Sequence, residues 1–174
     1  MKRKELENEI NSIEEKISDY KNTLSDLRKE LDILIEQEKK RRNYISSSEI
    51  VDLIFKHTGK KINMSTIKRW ADEGYLGEIV EEKDKFWALE RKQGKKRFLY
   101  PVIDVYHFLY EKGYLSPKYE VLDRVQITIP DGESFTGIVI DWELKQAKFL
   151  YMVQKEGSLE KFTMISEEYM KKIE

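Results

Sequence analysis

The sequence predicts an α+β chain of several modules: an N-terminal coiled-coil helix over residues 1–43, a compact helical module with a β-hairpin over 44–115, and a small antiparallel β-barrel over 118–174. Three observations predict it. Apolar residues at the N-terminus recur at alternating spacings of four and three. The middle of the chain carries helix-start and helix-stop signals around short apolar stretches. The last third alternates apolar and polar residues between turn dipeptides.

Composition sets the bounds. The 174 residues are 37% charged and 40% hydrophobic, with three Trp, ten Tyr and seven Phe. That is too polar for one large core, yet aromatic enough for small modules beside a long solvated helix. No apolar run approaches a membrane span, and the start MKRKELENEI lacks an apolar signal segment, so a cytoplasmic protein without membrane contact is expected. Cysteine is absent, which excludes a disulfide framework and a thiolate metal site. His57 and His107 belong to no metal-spaced or triad-like set, and His107 reads as structural. No phosphate loop or dinucleotide fingerprint appears among the eight glycines. No catalytic residue, metal or cofactor is therefore expected. Net charge is −1, made up of 0 over 1–43, +2 over 44–115 and −3 over 116–174. Only the middle segment leans positive.

Over residues 1–43 the apolar positions are Leu6, Ile10, Ile13, Ile17, Tyr20, Leu24, Leu27, Leu31 and Leu34. This is a heptad stripe without Gly or Pro, with Ile10, Ile17, Leu24 and Leu31 at a and the rest at d. Such a stripe is narrower than a core-facing helix needs, so it predicts self-association through these nine residues, a dimer first. Flanking charges favour an antiparallel pair. It sets Glu7 against Arg28 and Glu14 against Lys21 of the other copy, at the cost of Glu9 near Glu30. A parallel pair sets Glu9 against Glu14 and Lys16 against Lys21, and only Lys2 with Glu7 attracts. Two copies of the middle module would then sit at opposite ends of a rod about 60 Å long. The closing run Lys39-Lys40-Arg41-Arg42 either complements the helix dipole or touches phosphate.

Ser46-Ser47-Ser48-Glu49 is a capping box that opens a helix ending near Gly59. A second helix runs from the cap Asn63 to Gly74, with Ile67, Trp70 and Ala71 inward and Ser65, Thr66, Lys68, Arg69 and Asp72 outward. Residues 86–91 and 96–100 are β-prone runs joined by a turn at Gln93-Gly94. The tip Arg91-Lys92-Gln93-Gly94-Lys95-Lys96-Arg97 carries five cations in seven residues. Pro101 opens a further helix that Gly113 ends. Trp70 and Trp87 are expected in the core.

The frame Ile45…Glu49-Ile50…Thr66-Ile67-Lys68-Arg69-Trp70…Gly74-Tyr75-Leu76…Gly94…Arg97-Phe98-Leu99-Tyr100…Asp104 resembles the MerR-type and excisionase-like winged helix-turn-helix. The link over residues 57–62 and the acidic stretch 77–85 are longer than that family's pattern. The coil also precedes the winged module instead of following it, so effector sensing is not carried over. The resemblance implies double-stranded DNA as partner. A recognition helix in the major groove would present Ser65, Thr66, Lys68 and Arg69 to base edges or phosphate. The helix start at Asn63 would take a phosphate. The wing, with Arg91, Lys92, Lys95, Lys96 and Arg97, would hold backbone or minor groove.

After the linker Ser116-Pro117, residues 123–129, 135–142, 147–154 and 160–165 read as strands. Pro130-Asp131-Gly132 is a turn, and residues 166–173 read as a closing helical turn capped by Ser166. Short strands in so few residues suggest a small barrel, and the pattern Asp123-Arg124-Val125…Gly137-Ile138-Val139 is similar to Tudor/KOW-type barrels. Its net charge of −3 points to a protein partner, another copy included, rather than a DNA grip. Phe135, Trp142, Phe149, Tyr151 and Phe162 are expected mostly in its core. Taken together, the expectation is a site-specific DNA-binding protein of bacterial, phage or plasmid origin, regulator or architectural factor. The other reading is an interaction adaptor whose barrel and coil recruit protein partners to DNA.

Overall fold

The computed structural model describes residues 2–89 and 94–174. In chain order the elements are α1 (Lys2–Arg41), β1 (Tyr44–Ser46), α2 (Ser47–Thr58), α3 (Met64–Asp72), β2 (Val80–Glu81), α4 (Glu82–Lys85), β3 (Phe98–Pro101), α5 (Val102–Glu111), β4 (Arg124–Thr128), β5 (Ser134–Lys145), β6 (Lys148–Lys155), β7 (Lys161–Ser166), a 3-10 turn (Glu167–Tyr169) and β8 (Met170–Lys172). The chain is thus mixed α+β, a long N-terminal helix followed by short helices and antiparallel sheets. It divides into two compact units: Met1–Asn43 with Glu81–Arg97, and Tyr44–Val80 with Phe98–Glu174.

In the first unit α1 runs 40 residues without interruption, about 60 Å at 1.5 Å per residue. It has no Gly or Pro to break it, and Glu5 at its start and Lys39, Lys40 and Arg41 at its end complement the helix dipole. It buries no residue. Leu6, Ile10, Ile13, Ile17, Tyr20, Leu24, Leu27 and Leu31 are all exposed, and Leu34 is half-buried.

The stretch after Val80 differs from the expected hairpin. Over residues 86–89 the first β arm is absent: α4 turns the chain helically, with the Phe86 N–H donating to Glu82 O at 2.9 Å and the Leu89 N–H to Phe86 O at 3.0 Å. Glu90 and Arg91 of that arm, and Gln93 of the expected turn, lie outside the described residues. The reason is tertiary. The Ala88 N–H, which a strand partner would have taken, donates to the Gln37 side chain of α1 at 2.9 Å. Phe86 turns inward to 2% exposure, which turns Trp87 outward at 68%. The expectation of Trp87 in the core is therefore corrected.

The second unit begins with β1, paired antiparallel to β3 with Ile45 opposite Tyr100. Ser46 at the end of β1 caps α2: its hydroxyl accepts from Glu49 N and the Glu49 carboxylate accepts from Ser46 N, the expected capping box. Losing such a cap costs about 1 kcal/mol. Ile50, Ile54, Ile67, Leu76, Val105 and Leu109 form the fully buried centre of this half. Tyr110 of α5 continues that packing onto the sheet, with ring centroids 5.6 Å from Trp142 and 5.9 Å from Phe149.

The sheet has the order β7-β6-β5-β4-β8 throughout antiparallel pairs. Val125, Ile127, Val139, Tyr151 and Val153 alternate inward along it and are buried. Phe135 and Phe149 are buried as expected, while Trp142 and Phe162 pack against the core half-exposed. The expected closing helical turn is corrected: only Glu167–Tyr169 is helical, and Met170–Lys172 pairs with β4. No closed barrel forms among the described residues, since β7 and β8 are the two edges. Yet the sheet must curl. Four strand spacings span about 19 Å, whereas the chain from Ser166 to Met170 reaches at most about 14 Å. Register shifts at Val139/Asp141 and Tyr151/Val153 supply the bend. Gly137 permits the close approach, since a Cβ there would meet Gln154 O at 2.6 Å.

Candidate nucleic-acid interface

The site is built on α2, its following turn and α3. Gly59 ends α2 in the left-handed region at φ 69°, its N–H donating to Phe55 O at 2.8 Å. Glycine has no Cβ penalty there. The rotation of α3 is set by its apolar face: Ile67, Trp70 and Ala71 are buried, and the Trp70 ring meets Phe108 at 5.1 Å and Tyr114 at 5.5 Å. With that face inward, Ser65, Lys68, Arg69 and Asp72 are exposed, as expected, whereas Thr66, also expected outward, is half-buried. Asn63 occupies the cap position in extended backbone (φ −77°, ψ 147°), but its side chain makes no capping bond. The Thr66 N–H donates instead to the Asn63 carbonyl at 3.0 Å. The capping role is therefore corrected, and the exposed Asn63 amide faces solvent beside the first turn of α3.

The structure adds three residues that the sequence reading passed over. Lys56, Lys60 and Lys61 are exposed on the same stretch as Lys68 and Arg69. No acidic residue occurs between Asp52 and Asp72. None of these five cations enters an ion pair among the described residues. The signal is present in the sequence as that carboxylate-free run, but the net charge of 44–115 hides it, because the acids of that segment lie elsewhere.

A second basic element belongs to the first unit. Lys95, Lys96 and Arg97 are exposed. Arg91 and Lys92 lie outside the described residues. Lys96 stands 3.4 Å from Glu81 and Arg97 3.7 Å from Glu82, so two of the three share their charge with a neighbouring carboxylate. Glu82 also accepts from Arg41 at 2.8 Å. The sequence left two roles open for the run 39–42; Arg41 takes a third, holding Glu82 at the end of α1. Lys40 pairs with Glu36 within the helix at 2.6 Å and holds that carboxyl below its usual range.

In the sheet half, Tyr151 forms the main polar knot. Its hydroxyl donates to Glu167 at 2.7 Å and accepts from the Lys118 N–H at 2.9 Å and the Tyr119 N–H at 3.3 Å. The Tyr119 hydroxyl donates to Met170 O at 2.6 Å. Burial first, then the bond to Glu167, pushes the Tyr151 phenol above its ordinary range. These bonds fasten the stretch after Ser116-Pro117 to the sheet.

Among the described residues no His, Asp and Glu side chains converge to hold a metal, and no helix is long and apolar enough to cross a membrane. Comparisons with protein-family models, curated proteins and solved structures find no match to this chain.

Proposed function

We propose that the chain is a DNA-binding protein, a regulator or architectural factor, that presents α3 to the major groove and self-associates through α1. One observation carries the reading: five exposed cations, none in an ion pair among the described residues, lie on α2, α3 and the turn between them, in a chain whose net charge is −1. A solvated surface of a near-neutral protein mixes both signs; a run of one sign without counter-charges matches a phosphate backbone. In this reading Lys56, Lys60 and Lys61 hold phosphate on either side of the turn. Lys68 and Arg69, with Ser65, Thr66 and Asn63, reach base edges or phosphate. Lys95, Lys96 and Arg97, with Arg91 and Lys92, add a second backbone contact.

The adaptor reading, in which the curled sheet takes a protein partner, has its own support. That half is net −3, and Leu122 and Leu159 stand 78% and 89% exposed, Leu122 with φ 80°. An apolar side chain held exposed in a left-handed backbone is a feature that folding alone does not favour. Titrating duplex DNA over a range of salt separates the two. A steep salt dependence with tight binding to sites enriched from genomic DNA supports the regulator. Weak, sequence-blind binding supports the adaptor, and no binding to any duplex sinks both DNA readings.

A further inference from the structure

We infer that the short basic loop Lys95–Arg97 is carried by the coiled-coil helix, and that a second copy paired antiparallel along α1 sets two such loops about two turns of DNA apart. The inference rests on the DNA-binding reading above and adds its partner and its spacing.

The fastening comes first. Glu82 binds Arg41 of α1 through one carboxylate oxygen at 2.8 Å and stands 3.7 Å from Arg97 through the other. Its own N–H donates to Arg97 O at 2.9 Å. One turn back along α1, Gln37 accepts the Ala88 N–H at 2.9 Å. The Arg41 and Glu82 side chains are only 12% and 9% exposed, so water and salt weaken this pair less than a surface pair. Glu82 and Ala88 are therefore held at the last two turns of α1, and Arg97, tied to Glu82, goes where that helix end goes.

The second copy follows from the exposed stripe and its flanking charges. Eight of the nine seam residues of α1 stay exposed in its own unit, so its apolar seam is open over Leu6–Leu31. In the antiparallel pairing, Glu7 and Glu14 of each copy meet Arg28 and Lys21 of the other, four attractive pairs against two repulsive ones at Glu9 and Glu30. The parallel pairing reverses that balance. With the pair centred between Ile17 and Tyr20, the two Gln37 lie about 56 Å apart and the two Arg41 about 68 Å apart. B-DNA repeats about every 34 Å, so loops at this distance meet one face of a duplex about 20 bp apart.

The test uses the full chain and random-sequence duplexes of graded length. Only a duplex that reaches both loops is held at both ends, so affinity should step up on the order of 10²-fold as length passes about 20 bp. Duplicating residues 17–23 should lengthen the spacing by about 10 Å and move the step about 3 bp longer; deleting them should move it as far the other way. A step that ignores the heptad number puts both loops at one end and overturns the inference, as does DNA binding without any step. Gln37→Ala, which leaves every charge in place, should leave binding to a duplex of about one turn unchanged and shrink the step, with helix content checked by circular dichroism; an unchanged step overturns the carriage of the loop by α1. If no duplex binds, the DNA-binding reading fails and the spacing with it. The pairing is still decided by Leu6→Cys with Leu31→Cys in this cysteine-free chain. Crosslinks between positions 6 and 31 of two copies support it, and crosslinks of Leu6→Cys alone, 6 to 6, overturn it.

Discussion

Trp70 decides which way α3 faces. Its ring lies against Phe108 and Tyr114, and every outward residue of the helix takes its direction from that contact. Trp70→Ala should cost about 3–5 kcal/mol in urea denaturation, and DNA binding should fall with the fold. The cations should behave differently. Lys60→Ala and Lys61→Ala should leave stability within about 0.5 kcal/mol and lower the salt slope of duplex binding by roughly 1 each, evenly over sequences. Arg69→Ala should also relax base preference if it reaches a base edge. Equal effects of all three on every sequence would confine α3 to phosphate contact. Lys68 and Arg69 were legible from the sequence because they sit off a short apolar face. Lys56, Lys60 and Lys61 were not, because each alone is an ordinary surface lysine, and only their joint exposure without acids marks a surface.

At the level of elements, α1 is the part read most completely from sequence. A 4,3 spacing over nine apolar residues states both the helix and the face on which its apolar residues line up. Leu24→Asp, at an a position, should abolish self-association, and sedimentation at micromolar concentration should then report a monomer with lower helix content. A dimer that persists would move the interface elsewhere. The hairpin expected over residues 86–100 was only half legible. Its second strand is there as β3, but its first arm is a helical turn, because β propensity in residues 86–89 competes with a buried place for Phe86 and a hydrogen-bond acceptor on Gln37. Propensity lost to tertiary contact, as it commonly does in strands. The C-terminal strand β8 was missed for a similar reason. Three residues carry no period of their own, and Met170–Lys172 extends only because β4 offers an edge.

At the scale of the whole molecule, stability should depend on pH through the sheet half. The Tyr151 phenol is raised in the folded state, so its contribution is full below about pH 10 and is lost as pH rises from there toward the folded value. Thermal unfolding followed against pH should fall on the alkaline side. Tyr151→Phe should be about 1–3 kcal/mol less stable at neutral pH, because the Lys118 and Tyr119 N–H groups lose their acceptor. Its alkaline fall should be shallower; an equally steep fall would assign the transition to other groups. On the acid side, Lys172 at 2.6 Å holds the Asp123 carboxyl below its usual range, so the tie between β8 and the start of β4 is present above about pH 4 and lost as pH falls through the folded value.

The sequence by itself determined the length and seam of α1, the inward face of α3, the capped start of α2 and the alternation of β4, β5 and β6. Each is a local pattern: a period, or a cap within a few residues, that states which side of an element avoids water. Only the tertiary structure decided that Glu81–Arg97 belongs with α1, that Trp87 points outward, and that the sheet curls without closing. Those outcomes turn on partners far apart in the chain, such as Arg41 with Glu82 and Gln37 with Ala88. No period in the sequence encodes which distant group will take a buried charge or a free backbone N–H. That choice is made when the elements pack and each polar group leaving water must find its partner.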